Sequence, residues 1–318
     1  MIQPIDKTLE GYSFIDLFAG IGGFRLALES LGANCVYSCE WEKNAQETYK
    51  ANFGDTPDGD ITKVNEKNIP DHDILCAGFP CQAFSISGKK MGFADTRGTL
   101  FFDVARIVRE KKPKAVIMEN VKNLVTHDSG STFQTIINTM KHIGYNVYHQ
   151  ILNPIKYGIP QKRERVYIVA IRKDIDTKRF RFPEPNGIRR HVEDILDQPL
   201  ESDNDSTPYS DNPIRVDTVG HGRQGERIYS VKGTAITLSA NGGGMFANTG
   251  GYMINGVPRK LTITEAARLM GFPEDFKFIA SAHQTYKQIG NAVIVDMIQL
   301  IAMQVSKLFN TNNQLQLL

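Results

Sequence analysis

The 318 residues are 41% hydrophobic and 23% charged, with a formal net charge of +2, which suits a globular chain of one large or two modest domains and excludes a disordered or strongly polycationic one. No apolar run approaches the roughly eighteen residues of a membrane span, and the start, Met1-Ile2-Gln3-Pro4, lacks a signal peptide's basic and apolar regions, so a cytoplasmic protein with no membrane partner is expected. Four cysteines (Cys35, Cys39, Cys76, Cys81) in the first third read as reduced thiols, and no Cys/His cluster has zinc spacing, so no metal is expected.

In chain order, residues 12–18 read as a strand that Gly20-Ile21-Gly22-Gly23 turns into a helix carrying Phe24, Leu26, Ala27, Leu28 and Leu31, stopped by Gly32. A second strand, 35–39, ends at Glu40-Trp41. This βαβ opening places an acid about twenty residues beyond the glycines, where a carboxylate can hold ribose hydroxyls. Arg25 occupies the sixth position of the GxGxxG pattern, so a nucleoside cofactor without pyrophosphate fits at least as well as a dinucleotide. A short buried strand, 74–77, is broken by Gly78 and Pro80, which sets Cys81 on a loop at a strand's carboxyl end. There it is either a small buried hydrophobe or, beside positive charge, a nucleophile.

Residues 100–109 have helical spacing and stop before Pro113. The next buried strand, 115–118, ends in Glu119-Asn120-Val121. A helix with Phe133, Ile136, Ile137, Met140 and Ile143, capped by Ser131 and Gly144, precedes strands at 147–152 and 166–171. The stretch from Phe182 to about Lys260 is rich in Gly, Asn, Asp, Ser and Thr and reads as a smaller domain of loops and short strands. Helix returns at 264–270 and from Val293 to about Phe309; the last of these is expected to pack back on the first domain. Charge is segregated: 156–190 is net +7, 193–217 net −7 and 223–260 net +4. Two basic segments flanking an acidic one suit a polyanion, or simply solvated faces.

Phe18-Ala19-Gly20-Ile21-Gly22-Gly23, Gly78-Phe79-Pro80-Cys81-Gln82, Glu119-Asn120-Val121, Gln161-Lys162-Arg163-Glu164-Arg165 and Gln288-Ile289-Gly290-Asn291 together resemble the ordered motifs of the C5 DNA cytosine methyltransferases. The resemblance covers essentially the whole chain. It implies an α/β, Rossmann-like, S-adenosylmethionine-dependent methyltransferase fold with a smaller, loop-rich target-recognition domain. The implied bounds are 1–183 with 290–318 for the catalytic domain, 184–262 for target recognition and 263–289 for a hinge.

Carbon 5 of cytosine is too electron-poor to attack a methyl sulfonium unaided. A nucleophile must first add at carbon 6, and the resemblance gives that role to Cys81. Glu119 then stabilises the charge pushed onto N3 as a general acid. Arg165 is implied at the cytosine O2 and Arg163 in support; either cation can also lower the thiol's pKa. S-adenosylmethionine is implied over Phe18, Gly20, Ile21 and Gly23, with Glu40 on the ribose, Trp41 against adenine, Asp60 and Ile61 at the adenine edge, and Pro80, Leu100, Asn291 and Val293 completing the pocket. The other reading of the single Trp is core filling.

Double-stranded DNA is the implied partner, with the target base flipped out of the stack. Ser87 and Gln224 are implied at the vacated position, Lys89 and Lys162 on phosphates, Arg227 on guanine, and Ser85, Thr237, Ser239, Gly243 and Gly244 as further contacts. The implied protein is a monomer and the modification half of a restriction-modification system, paired in function with an endonuclease that need not bind it. The implied site is GCGC. Asn241 stands where a close family member has an aromatic, and the segment between Arg189 and Asp217 is shorter, which bears on the target sequence rather than the reaction. Three other readings are an RNA cytosine methyltransferase of the same family, a non-catalytic DNA-binding protein, and a dinucleotide-dependent oxidoreductase that rests on the βαβ opening alone.

Overall fold

The computed structural model describes residues 6–80, 100–177, 179–201 and 206–315, with backbone alone from 310 on. Strands β1 (Ser13–Leu17), β2 (Asn34–Cys39), β3 (Ile74–Ala77) and β4 (Ala115–Val121) are joined in parallel by α1 (Gly23–Ser30), α2 (Lys43–Phe53) and α3 (Leu100–Lys111). Helix α4 (Ser131–Ile143) leads to β5 (Tyr145–Leu152) and β6 (Arg165–Arg172), and the sheet order is β2-β1-β3-β4-β6-β5. Strand β6 is antiparallel to both neighbours. β3 is buried at all four positions, and the run Ala115–Met118 of β4 is buried throughout, as a sheet covered by helices on both faces requires.

The direction of each strand decides where chemistry can collect. Leu17 pairs with Cys39 and with Ala77, and Ala77 with Met118, so the parallel strands all end at one rim. Because β6 runs the other way, its first residue, Arg165, lies at that same rim opposite Val121. Strand β1 is flanked by β2 on one side and β3 on the other, so the chain order reverses there, which is where open α/β sheets bind ligands.

A second sheet of β7 (Arg215–Thr218), β8 (Arg227–Ser230), β9 (Gly251–Ile254) and β10 (Val257–Lys260), in the order β10-β9-β8-β7, follows in the turn-rich region. Helices α5 (Ile263–Leu269), α6 (Ala282–Asn291) and α7 (Val295–Leu315) close the chain, with α7 packed on α1. One buried cluster runs from Phe14, Leu28 and Val169 through Met297 and Ile301 to Tyr229 and Tyr252 of the second sheet.

Several expectations are corrected. Helix α2 was not foreseen, since its face toward the core is narrow: Ala45, Thr48 and Tyr49 are its buried residues. Gly130, in the left-handed region, caps α4 in place of Ser131, which is the first helical residue. The last helix starts at Val295, and Gln288 to Asn291 end α6 instead of preceding a helix. The stretch Ala282–Phe309 does have the length and composition of a membrane span, but it is divided between α6 and α7 and 67% of its most apolar window is buried within the fold.

Glu265, wholly buried at the start of α5, ties this end together. Arg259 clamps it with two 2.7 Å bonds, and it accepts the N–H groups of Thr262 and Asp197. Burial alone would raise its pKa; the Arg259 bonds and the two N–H donors outweigh that and hold it below the usual range. We predict that Glu265→Ala lowers unfolding free energy by roughly 2–4 kcal/mol, the cost of orphaning a partly exposed arginine and two N–H groups. In the wild type, this contribution is present above the free glutamate pKa and is lost as pH falls through the depressed folded value. Urea titrations of both proteins from neutral to acid pH check it; equal stabilities at neutral pH would remove the claim.

Candidate active site and duplex-facing surface

The rim opens into one cavity of about 830 Å³. Its floor is built by the segments that follow the parallel strands. After β1, Phe18 takes a left-handed conformation at φ 58°, rare for a large side chain, and turns the chain so that Gly20 presents its N–H inward. Glu40, just beyond β2, receives that N–H at 2.9 Å on one carboxylate oxygen and the Glu42 N–H at 2.8 Å on the other. Burial raises its pKa while these N–H donors oppose the rise. Trp41 is 78% exposed on the cavity wall, so core filling is excluded for it. Asp60 accepts the Thr62 N–H at 3.0 Å and sits beside buried Ile61. Pro80, Leu100, Asn291 and Val293 complete the lining, so every residue that the resemblance assigns to the cofactor faces this one space.

Glu119, Arg163 and Arg165 line the same cavity. Arg165 Nε lies 3.2 Å from Glu119 Oε1, both side chains being largely buried, and Arg165 also donates to the Glu164 carbonyl at 2.9 Å. Burial raises the Glu119 pKa, and the charges of Arg163 and Arg165 oppose it without reversing the direction. Arg163 donates to three carbonyls, those of Leu238 at 2.9 Å, Gly290 at 3.0 Å and Ala292 at 3.0 Å. Its Nε is buried with no hydrogen-bond partner among the described residues, and desolvation lowers its pKa to about 10. It therefore remains a cation at neutral pH.

Cys81, Ser85, Ser87 and Lys89 lie outside the described residues. The approach to Cys81 is described. Asn120 donates from Nδ2 to the Phe79 carbonyl at 2.7 Å and accepts the Val121 N–H at 2.9 Å, which pins the segment that leaves β3 to the end of β4. The other three cysteines are free thiols, and burial pushes Cys35 and Cys39 up to about 12 and Cys76 well above the usual value. None of those three is a nucleophile at neutral pH.

A second hollow of about 450 Å³ lies beside the first, lined by Lys122, Lys162, Arg165, Gln224 and Thr237 among others. Lys162 Nζ donates to Asn212 at 3.0 Å, and the Thr237 hydroxyl donates to the Lys162 carbonyl. Arg227 donates from Nε to the Gly222 carbonyl at 3.0 Å. Ser239 pairs through its backbone with Asn248, and Gly243 and Gly244 lie on an exposed loop.

Sequence reasoning missed Asn120 as a positioning group, although its motif was noted, because nothing in the chain order says that it reaches Phe79. It also missed Gln284 and Lys287, which line the cavity from α6, in a stretch taken as hinge.

The family model for C-5 cytosine-specific DNA methylases matches residues 12–307. The type II methyltransferase M.HhaI of Haemophilus parahaemolyticus is 55% identical over 98% of this chain and 99% of its own length. M.SsoII of Shigella sonnei is 46% identical over 92% of this chain and 80% of its own. Among solved structures, the Dnmt2 methyltransferase of S. pombe superposes with a TM-score of 0.71 over 95% of this chain and 99% of that one, at 21% identity, a likeness of fold. With strand order, rim and ordered motifs all in agreement with that match, the chain belongs to the C-5 cytosine-specific DNA methylase family and is a DNA cytosine-5 methyltransferase of the type II kind.

Proposed function

We propose that this enzyme methylates carbon 5 of a cytosine flipped out of duplex DNA, at the inner cytosine of GCGC, through a covalent adduct between Cys81 and carbon 6. The observation that carries the reading is the Glu119–Arg165 pair, 3.2 Å apart, on the wall of the cavity that also holds Glu40 and Trp41. The GCGC site rests on the 55% identity to M.HhaI over nearly the full length of both chains. Residues 1–183 with 290–318 are taken as the catalytic part, 184–262 as target recognition and 263–289 as the hinge.

The residues fit S-adenosylmethionine. Glu40 keeps free lone pairs for ribose hydroxyls, Trp41 offers an exposed aromatic face, and Gly20 leaves open space above the turn. When bound, S-adenosylmethionine supplies an electrophilic methyl group on a sulfonium. The chain's own groups do the rest. The Cys81 thiolate forms the sulfur–C6 bond and the ring electrons move toward C5. Glu119, whose pKa burial raises against the charges of Arg163 and Arg165, donates its proton to N3 or shares it there, and Arg165 holds the O2 edge. A water molecule acting as base then takes the C5 proton, the C5–H electron pair re-forms the C5–C6 double bond, and the C6–sulfur bond breaks to release the Cys81 thiolate. Arg163 acts by holding Leu238 against the α6–α7 junction. Gln224 and Arg227 serve the duplex, with Lys162 on phosphate.

Trp41 is the chain's only tryptophan, so it reports directly on its own surroundings. Titration with S-adenosylmethionine should change its fluorescence saturably, while S-adenosylmethionine should bind Trp41→Ala at least about tenfold more weakly by calorimetry, as expected for a lost stacking face. An unchanged emission and affinity would place the adenine elsewhere.

Because the Glu119 pKa is raised, the protonated acid persists above the range of a free glutamate, and single-turnover rates should fall as pH rises through that raised value. Glu119→Gln should be slower by about 10²–10⁴-fold and lack that descending limb. A limb that survives in the variant belongs to another group.

The reading as a whole is tested with duplex DNA carrying 5-fluorocytosine at GCGC. We expect a denaturation-resistant complex formed in the presence of S-adenosylmethionine and lost in Cys81→Ala. A complex on randomly substituted DNA but not at GCGC would overturn the target and leave the chemistry standing.

A further inference from the structure

The two loops that carry the candidate duplex-reading groups, 220–226 with Gln224 and 241–247 with the glycine run, meet backbone to backbone. Phe246 donates its N–H to the Gly225 carbonyl at 2.7 Å. Gly225 is buried, and a Cβ on it would stand 2.1 Å from the Gly243 carbonyl oxygen and 3.2 Å from Ala247 Cα. From the other side, a Cβ on Gly244 would stand 2.8 Å from the Gly225 carbonyl oxygen and 3.0 Å from Glu226 Cγ, at a φ of +98° that disfavours any side chain. The nearest atom on each side is a backbone carbonyl oxygen, so the close approach of the loops is not relieved by rotating a side chain. Behind this contact, the Glu226 carboxylate accepts the N–H groups of His221 at 3.0 Å and Arg223 at 2.9 Å, and its own carbonyl takes the Val219 N–H at 2.8 Å. The first loop is thus folded on Glu226 and bolted to the second at Gly225, next to Gln224. Gly243 keeps its outer side open.

We propose that Gly225 is a positioning residue for target recognition: its bare backbone locks the two loops into one reading surface, so that Gln224 and the glycine loop meet the duplex in a fixed relation. Discrimination between DNA sites then depends on the lock and not on each loop separately. The proposal rests on the reading of this face as the duplex interface. A shift of an ångström at Gly225 moves Gln224 and the glycine loop apart, and base-edge hydrogen bonds do not tolerate that displacement.

The full-length enzyme is assayed on three DNAs: a GCGC duplex, the same duplex with one base pair of the site changed, and a duplex in which the target cytosine faces an abasic position and is already loosened from the stack. Gly225→Ala should raise KM for the intact duplex at least about tenfold and lower the preference for GCGC over the altered site by a similar factor. Its single-turnover rate on the loosened cytosine at saturating DNA should stay within about threefold of wild type. Gly225→Ala/Gly244→Ala should be no worse than the more impaired single variant, since one lock is lost either way. Unchanged KM and site preference in Gly225→Ala, or losses that multiply in the double variant, would overturn the proposal. If Gly225→Ala does not unfold cooperatively, Glu226→Gln takes its place, with the same split between KM and rate expected and an unaltered KM and preference counting against the lock. Gln224→Ala separates the two levels: if it too leaves duplex methylation unchanged, the duplex-interface reading falls, whereas an impaired Gln224→Ala beside a normal Gly225→Ala removes the lock alone.

Discussion

Arg163 is the charge around which the site closes. Removing a guanidinium from water costs several kcal/mol even after relaxation, and three carbonyls from two distant stretches of chain, Leu238 and the Gly290/Ala292 turn, offset that cost. The approach is made possible at Gly290, where a Cβ would stand 2.5 Å from the Ser239 carbonyl carbon. The neighbouring backbone continues the same joint: Ala235 donates to Pro160 at 2.7 Å and Lys162 to Ala235 at 2.8 Å. The second sheet's connection to the catalytic rim is therefore a line of backbone bonds with a buried cation at its end.

That joint matters because the acid and its arginine come from strands of opposite direction. A wholly parallel sheet would send Arg165 to the far end, since residues that begin strands lie opposite to residues that end them. Reversal of β6 brings Arg165 to Val121 in register, two places beyond Glu119. The pair then sets two influences against each other. Burial favours the neutral acid, the two cations favour the carboxylate, and the balance remains on the side of a raised pKa. A more exposed Glu119 would ionise in the ordinary range, and a closer or better-bonded arginine would hold it ionised. Largely buried yet held by one 3.2 Å contact, it lies between those limits.

The parallel half of the fold was legible because its strands are short apolar runs, with Gly20 three residues beyond β1, Gly78 directly after β3, Glu40 directly after β2 and Glu119 near the end of β4. Those local signals located strand ends; it was the resemblance of the ordered motifs that collected one cavity's lining from residues scattered over nearly the whole chain. What stayed hidden was carried by contacts between distant segments. Helix α2 has too few apolar positions to announce itself, and its place depends on partners such as Gln288, whose side chain donates to the Asn44 carbonyl at 2.9 Å. Asn120's hold on Phe79 and Arg163's on Leu238 span 41 and 75 residues, and no spacing rule reaches so far. The sequence reading of 263–289 as hinge hid Gln284 and Lys287 for the same reason.

The contrast among the cysteines shows how position confers reactivity. Cys35, Cys39 and Cys76 stand within strands, where the sheet excludes water and burial suppresses the thiolate. A cysteine can ionise only where the chain has left the sheet and a cation is near. The described segment after β3 leaves the sheet at Ala77, has its Phe79 carbonyl fixed by Asn120, and brings Pro80 out exposed on the wall of the cavity that Arg163 and Arg165 share. Gly78 and Pro80 stand just beyond the last residue of β3, and both residue types interrupt a strand.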